Sequence, residues 1–343
     1  MSSSERQPEP KPTPERIMDA LNAYQRTAAV KSAIELDLFT AIGKGASAPT
    51  ALASVTRASV RGLRILCDHL TVQGLLTKQD GAYSLTPDSQ AFLDRRSPSC
   101  IADAAIGFFA SNHMVRSFDS LTASVRKGGT AISPQGTMGP DDPIWVNFAI
   151  SMAAVQAPLA NGVAKILNAE AAPPWKILDV GSGHGLFGIA IARKNPKAEI
   201  YSQDWAPVLE VAQRNADDAG VSPRFHQLPG SAFDIDLGSD YDLVLLTNFL
   251  QLLDRNAIEP FLKKVHAALK PGGRSVTVGF IPNDDRISPP APAAFSLSML
   301  AITPGGEAYS VGDYEEMFQK AGFTSNEKVE LPNSPQQLIL STK

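Results

Sequence analysis

The fold of this chain is decided by the stretch Lys176-Ile177-Leu178-Asp179-Val180-Gly181-Ser182-Gly183-His184-Gly185. A short apolar segment runs up to Val180, glycines follow at every second position, and an apolar, helix-compatible stretch begins at Leu186. This order predicts a buried parallel strand, a tight turn and the first turn of a helix. Glycines allow positive φ angles and the close approach of a ligand, and the N–H groups of a helix start face whatever binds there.

Two classes of ligand use such a turn. Dinucleotide dehydrogenases need the spacing G-x-G-x-x-G, but here that last position is Leu186 and the third glycine is Gly185. Asp179 would also repel a phosphate, whereas a carboxylate suits a ligand with positive charge, such as the amino-acid end and sulfonium of S-adenosylmethionine. The form D-x-G-x-G-x-G therefore resembles motif I of the class I methyltransferases. A glycine turn taken by itself is also compatible with an ordinary strand–helix connection.

The segments after the glycine turn have the order of the same fold. Glu199–Asp204 predicts a second strand, and its final acid lies 19 residues beyond Gly185, about the spacing at which an acid reaches a ribose diol. Tyr241–Leu246 predicts a third apolar strand. Lys270–Arg274 predicts a turn into a strand at Ser275–Phe280, and the form L-K-P-G-G resembles a methyltransferase hallmark.

Composition narrows the class of protein. A chain of 343 residues exceeds a single ordinary core, so two domains are expected. The net charge of −4 gives no reason to expect nucleic-acid or acidic-membrane partners, and no apolar run is long enough to span a membrane. The two cysteines, Cys67 and Cys100, predict no disulfide framework and a reducing, cytoplasmic location. The five histidines show no metal-ligand spacing, so no metal is expected.

The N-terminal part is expected to contain a tail and a mainly helical domain. Residues 1–14 are polar and proline-rich, which predicts a disordered tail. Within residues 15–100, Ser59 is a candidate N-cap of a helix over Val60–Gln73, and a β-hairpin is predicted around Gln79-Asp80-Gly81. Helices followed by a small hairpin suggest a winged helix, a fold that often binds DNA. This helix is apolar over too much of its circumference for a DNA groove, so burial against a second subunit is favoured over a DNA-binding regulator.

A resemblance to a known family connects these parts. Ala33-Ile34-Glu35-Leu36-Asp37-Leu38-Phe39, the hairpin and Leu85-Thr86-Pro87 look like the dimerisation domain of the small-molecule O-methyltransferases, the plant caffeate-type and bacterial secondary-metabolite enzymes. The resemblance implies an α/β fold with a winged-helix dimerisation domain at 15–100, linking helices at 101–165 and a Rossmann-like catalytic domain at 166–343. It implies a mostly parallel sheet of seven strands in the catalytic domain. It also implies a homodimer that binds S-adenosylmethionine and a small acceptor molecule.

The same resemblance assigns residues to two binding sites, and Asp142 through Met152 resembles the helix that bridges the domains. The residues implied for the cofactor are Asp179, Gly181, Ser182, Gly183, Gly185, Asp204, Trp205, Ser231, Ala232, Phe233, Thr247 and Asn248. The residues implied for the acceptor are Phe109, Trp145, Phe148, Met152, Phe295 and Met299. A mostly apolar cleft of this kind suits a planar aromatic or polyketide-like molecule.

The residue that would remove a proton from the acceptor is missing. By the resemblance, the family's catalytic histidine should follow Asn248-Phe249-Leu250, and this chain has Gln251 there. The carboxylate that often orients that histidine is also replaced, with Gly279 at or near its place. Glutamine can donate and accept hydrogen bonds, but it cannot take a proton near neutral pH.

Three interpretations of this loss remain open. In the first, the acceptor needs no strong base, as for an acidic phenol or enol, an amine or a nucleophilic carbon. In the second, another group replaces the histidine, and His113 is the candidate. In the third, the fold keeps its cofactor but has lost methylation and directs another reaction, such as a pericyclic step. We favour the first, and the sequence leaves open whether O, C or N is methylated.

Overall fold

The computed structural model describes residues 12–134, 136–137, 139 and 143–343. The chain divides after Ala102 into two compact units. Residues 1–11 of the expected tail lie outside the described residues, as does Asp142, at which the linking helix was expected to start.

The first unit is helical with one small hairpin. Its helices are α1 (Glu15–Leu21), α2 (Ala23–Glu35), α3 (Leu38–Gly43), α4 (Pro49–Thr56), α5 (Val60–Val72) and α6 (Pro87–Phe92). Between α5 and α6, strands β1 (Leu76–Gln79) and β2 (Ala82–Leu85) pair in antiparallel fashion. The Ser59 side chain accepts a hydrogen bond from the N–H of Gly62, so α5 begins with the N-cap that its sequence predicts.

Helix α5 is buried on one face only. Leu63, Cys67 and Leu70 lie in the core of the first unit, whereas Ile65 and Val72 are exposed, the latter to 87%. The burial expected around most of this helix is therefore not provided by the chain alone. The exposed apolar side chains in and near this helix, including Val55, Val60, Ile65 and Val72, are candidates for contact with another chain.

The second unit contains the main sheet and the remaining helices. The strands are β3 (Lys176–Val180), β4 (Glu199–Asp204), β5 (Phe225–Pro229), β6 (Tyr241–Thr247), β7 (Leu269–Gly279), β8 (Ser325–Glu330) and β9 (Gln337–Thr342). The helices are α7 (Ala102–Ala104), α8 (Asn112–Asp119), α9 (Leu121–Lys127), α10 (Ile144–Ile166), α11 (Leu186–Lys194), α12 (Ala206–Asp218), α13 (Arg255–Ala268), α14 (Pro290–Ile302) and α15 (Val311–Lys320). A π-helix spans Ala105–Phe109, and short 3-10 turns lie at Ala169–Ala171, Ser222–Arg224 and Leu250–Leu252.

One mixed sheet of seven strands has the order β5-β4-β3-β6-β7-β9-β8. Strands β3 to β7 are parallel to their neighbours, and β9 lies antiparallel between β7 and β8. Alternate residues of the central strands face two apolar layers. Ile177 and Leu243 pack in the layer that contains α11, and Leu178 and Val244 pack in the layer that contains α13 and α15. The α/β fold class and the mostly parallel sheet predicted from the sequence are therefore confirmed.

Two strands differ from the expectation. Strand β7 already begins at Leu269, so the Lys-Pro-Gly-Gly segment predicted as a turn lies inside it, where pairing with β6 shifts register between Tyr241 and Leu243. Gly272 supports this irregularity with a φ of 73°. The sequence did not indicate β5, because only Phe225 of its five residues is buried.

Among the residues that the structure describes, no helix combines the length and the apolar character that crossing a membrane requires.

Candidate active site

A cavity of about 1370 Å³ opens at the carboxyl ends of the parallel strands in the second unit. The wall includes residues at or just after the ends of strands β3 to β7. Open α/β sheets bind their ligands at this edge. Its volume exceeds the roughly 300–1000 Å³ of a typical ligand pocket. The cavity therefore has room for a cofactor and an acceptor side by side.

The wall contains most of the residues predicted for the cofactor and all those predicted for the acceptor. The cofactor candidates on the wall are Gly181, Gly183, Asp204, Trp205, Ser231, Ala232, Phe233, Thr247 and Asn248. The acceptor candidates on the wall are Phe109, Trp145, Phe148, Met152, Phe295 and Met299. Gln251 lies on the wall as well, whereas Asp179, Ser182, Gly185 and His113 do not.

The three glycines of the turn serve different purposes. Gly181, Gly183 and Gly185 have φ angles of 58°, 56° and 72°. A Cβ at Gly181 would lie 2.5 Å from the ring of Phe249, and one at Gly185 would lie 3.0 Å from Cβ of Ala212, so both positions are closed by packing. A Cβ at Gly183 would meet no described heavy atom closer than 3.9 Å. Gly183 therefore borders open space, as expected of a backbone that a ligand approaches.

Asp179 supports the turn from behind and does not face the cavity. Its side chain is fully buried, one carboxylate oxygen accepts the N–H of Gly188 at 3.2 Å, and the other has no partner among the described residues. Burial, with a contribution from the negative charge of Asp204, raises the pKa of Asp179 to about 8. The expectation that this carboxylate meets a positively charged ligand has no support in the geometry, because the group is off the wall and largely protonated near neutral pH.

Asp204, unlike Asp179, lies on the wall of the cavity. One carboxylate oxygen accepts the N–H of Gly183 at 2.8 Å, and the other accepts the N–H of Trp205 at 2.7 Å. Burial raises the pKa of Asp204 to about 6, and the two backbone donors oppose that rise. The carboxylate is thus fixed beside the open face of Gly183, with lone pairs left for a ligand.

Gln203 is a site residue that the sequence did not reveal. Its Oε1 accepts the N–H of Gly181 at 3.2 Å, and its Nε2 donates to the carbonyl oxygen of Gly230 at 2.6 Å. One side chain at the end of β4 thereby joins the loops that follow β3 and β5. No local signal in the sequence distinguishes this glutamine from a polar residue in an ordinary strand.

Aromatic rings form much of the remaining wall. Phe148 contacts Phe108 edge to face at 5.0 Å between centroids and lies 6.0 Å from the ring of Trp145. The indole N–H of Trp145 donates to the carbonyl oxygen of Thr137 at 2.6 Å, which fixes the ring. Rings held in this way suit a flat, apolar ligand.

Gln251 occupies the place at which a base was expected. It is 4% exposed, its Oε1 accepts the N–H of Phe280 at 3.2 Å, and its Nε2 lies 3.3 Å from Oδ1 of Asn248. A Cβ at Gly279 would lie 2.9 Å from Oε1 of Gln251, so the missing side chain of Gly279 makes room for the amide. No lysine, arginine or histidine occurs among the described residues of the wall.

His113 does not replace the base in this geometry. It lies in α8, off the wall, and its Nε2 is buried without a partner among the described residues. The stretch 106–125 that contains His113 is divided into the π-helix, α8 and α9. Phe108 and Phe109 of the π-helix line the cavity, and Phe109 is 58% exposed.

The parallel strands, the glycine turn and the acid at the end of β4 fit the class of the α/β methyltransferases. Two family models match the chain, an O-methyltransferase domain over residues 141–324 and an O-methyltransferase dimerisation domain over residues 18–95. The chain belongs to the O-methyltransferase family. S-adenosylmethionine is accordingly its methyl donor.

Known proteins resemble the chain to different extents. A crystal structure from Nostoc punctiforme, of a protein assigned to the O-methyltransferases, is 47% identical, covers 97% of this chain and all of its own, and gives a TM-score of 0.93. The tetracenomycin polyketide synthesis 8-O-methyl transferase of Streptomyces glaucescens is 26% identical over 91% of both chains. The L-tyrosine C(3)-methyltransferase of Streptomyces lavendulae is 30% identical, but the match spans only 49% of this chain and 47% of that protein.

Proposed function

We propose that this chain transfers a methyl group from S-adenosylmethionine to a small aromatic or polyketide-like acceptor that needs no strong base. The observation that carries the proposal is Gln251, which is buried on the cavity wall where the family places a histidine. Its amide cannot take a proton near neutral pH. Apart from the carboxylates of Asp204 and Asp234, no side chain on the described part of the wall can serve as a base near neutral pH.

The surroundings of the glycine turn fit the cofactor. Gly183 borders open space, and the fixed carboxylate of Asp204 can accept hydrogen bonds from ribose hydroxyls. Trp205 and Phe233 supply aromatic surface on the same wall, where an adenine ring would be accommodated. When bound, S-adenosylmethionine supplies a reactive methyl group, and the chain contributes alignment and the exclusion of water.

The nature of the acceptor is proposed from the rest of the wall. The aromatic rings around Phe148 and the stacked pair Phe280 and Phe295, 4.1 Å apart, favour a flat molecule. Among the relatives, one acts at C(3) of L-tyrosine and another at an 8-O position in polyketide synthesis. Methylation at oxygen is the proposal that family membership favours.

Transfer of label tests this function. The protein is incubated with S-adenosylmethionine carrying a labelled methyl group and a panel of phenols, enols and amines, and calorimetry measures the binding of S-adenosylhomocysteine separately. We expect cofactor binding and label in an acidic phenol or enol. Cofactor binding with no transfer to any acceptor would favour the non-methylating alternative, such as a pericyclic step, and absence of cofactor binding would reject both.

Asp204 gives a direct test of the proposed cofactor site. We expect Asp204→Asn to weaken the binding of S-adenosylhomocysteine by about 1–3 kcal/mol, because a hydrogen bond to a charged group is replaced by a neutral one. Asp218→Asn on the exposed side of α12 is the matched control and should leave affinity unchanged. Equal affinities of both variants in calorimetry would show that Asp204 does not hold the ribose.

A further inference from the structure

A backbone group fixes the orientation of the Gln251 amide. The N–H of Phe280 lies 3.2 Å from Oε1 of Gln251, and a backbone N–H can only donate a hydrogen bond. The amide oxygen must therefore face Phe280. The NH₂ group consequently points to the opposite side, 3.3 Å from Oδ1 of Asn248.

The same reasoning orients two further amides. Asn248 must present its oxygen to Gln251, because two facing NH₂ groups would repel each other. Nε2 of Gln336 donates to that same oxygen at 2.9 Å, so two donors already share Oδ1 of Asn248. The second hydrogen on Nε2 of Gln251 has no acceptor among the described residues. The part of Gln251 left for a ligand is therefore an N–H donor.

The local backbone structure holds the Gln251 amide in this orientation. Asn248 has a φ of 56°, and its own N–H donates to the carbonyl oxygen of Val278 at 2.7 Å. A left-handed conformation costs little for asparagine, and the strong backbone bond offsets that cost. Gly279 leaves the space that Oε1 of Gln251 occupies. Rotation of the amide by half a turn would place NH₂ against the N–H of Phe280.

A donor at this place selects between forms of the acceptor. A neutral phenol oxygen can accept this hydrogen bond, but it carries no charge and accepts it more weakly. An ionised oxygen accepts it more strongly, because hydrogen bonds to charged groups are the stronger ones. Because the described wall offers no cationic side chain, the counter-charge would come from the sulfonium of the cofactor.

We propose that Gln251 donates a hydrogen bond to an acceptor oxygen that enters the cavity already ionised, as a phenolate or an enolate. This proposal rests on the proposed function and specifies the substrate class of the same site. The proton leaves to solvent before binding. The oxygen lone pair then forms the bond to the methyl carbon, the S–C bond breaks with its electron pair going to sulfur, and a neutral ether and a neutral thioether result.

The ionisation state of a bound phenol can be measured without turnover. The protein is saturated with sinefungin, an unreactive analogue that carries an amine in place of the sulfonium, and 4-nitrophenol is added while the visible band of its anion is recorded. We expect the bound probe to be ionised at a pH at which the free probe is largely neutral. With S-adenosylhomocysteine, which lacks the positive charge, the band should be weaker.

Variants of Gln251 separate the donor from the shape of the site. Gln251→Met removes the N–H and should raise the apparent pKa of the bound probe by about one unit or more. Gln251→Glu keeps the acceptor for Phe280 but places a carboxylate toward the ligand, so it should abolish binding of the anion. Gln319→Met, an exposed glutamine of α15, is the control and should behave as the unchanged protein.

The pH dependence of methyl transfer provides a second test of the proposal. For phenols of graded acidity, the rate of label transfer should rise with pH at the ionisation of each phenol. A common inflection for all phenols, no anion band on binding, or an unchanged band in Gln251→Met would overturn the proposal while methylation stands. Failure of label transfer to every acceptor, with cofactor still bound, would instead reject the proposed function.

Discussion

At the scale of single residues, Gly183 is the point at which the backbone of the turn meets the cavity. We expect Gly183→Ala to lower the affinity for S-adenosylhomocysteine at least tenfold, because the added methyl group occupies space that no described protein atom fills. Gly220→Ala is a matched control, since Gly220 has a similar φ of 69° and also borders open space, but it is not on the wall. Calorimetry on both variants separates backbone strain from lost ligand space. If the two substitutions weakened binding equally, Gly183 would have only a conformational role.

Asp179 makes stability depend on pH. Its folded pKa of about 8 lies above its ordinary value of 3.8, so the folded state holds the proton more tightly than the unfolded state. The contribution of Asp179 to the free energy of unfolding is fully present below about pH 4 and is lost as the pH rises through about 8. We expect Asp179→Asn to flatten the fall in unfolding free energy between pH 5 and 8, a difference on the order of a few kcal/mol, in urea denaturation. An identical slope in both proteins would contradict burial as the cause.

The residues of the site differ in how far sequence could predict them. Gly181, Gly183 and Asp204 belong to local patterns whose spacing carries the signal. Gln336 is 88 residues from Asn248 along the chain, and only the sheet brings them together. Asp179 matches the motif, but its side chain contacts the N–H of Gly188 and does not reach the cavity wall. The sequence could not predict this, because a strand pattern does not show which face of the sheet borders the ligand.

At the scale of elements, the segment after β5 is held by one lysine. Lys264 in α13 donates to the carbonyl oxygens of Ala232, Phe233 and Ile235 at 3.0, 3.0 and 2.6 Å. We expect Lys264→Met to lower cofactor affinity several-fold, because the segment that would cover adenine loses its anchor. The thermal transition should move much less than the affinity.

The neighbouring Lys263 provides the comparison. It is exposed on the same helix, and Lys263→Met should change neither affinity nor stability. Equal calorimetric results for the two variants would mean that the segment needs no anchor.

Periodicity predicted the elements with strong apolar patterns and missed those without them. Strand β3 and the start of α11 have the bounds that the sequence indicated. The region 101–165, expected to contain linking helices, includes a π-helix at Ala105–Phe109 that the pattern did not indicate. Local helix propensity does not predict a π-helix, because its formation depends on packing against other elements. Gly107 of this π-helix, for example, lies against Ser151 of α10.

At the scale of the whole molecule, the dimerisation domain matched at residues 18–95 agrees with the apolar residues that the first unit exposes. We expect sedimentation to give about twice the chain mass of 36.5 kDa. Val72→Lys should shift the protein toward the monomer, because it places a charge in the covered face. Gln319→Lys in the second unit should not. A monomer at all concentrations would leave the exposed face of α5 to another partner.

The position of β9 has a consequence for synthesis of the protein. The strand lies between β7 and β8, although both precede it in the chain. While the ribosome has not yet released residues 337–342, β7 has a bare edge and β8 has no neighbour to join. The loop before β9, including Gln336, therefore reaches the cavity only after β7 and β8 have been synthesised. A nascent chain stalled before that point would lack one wall of its active site and would expose an edge open to pairing with other chains.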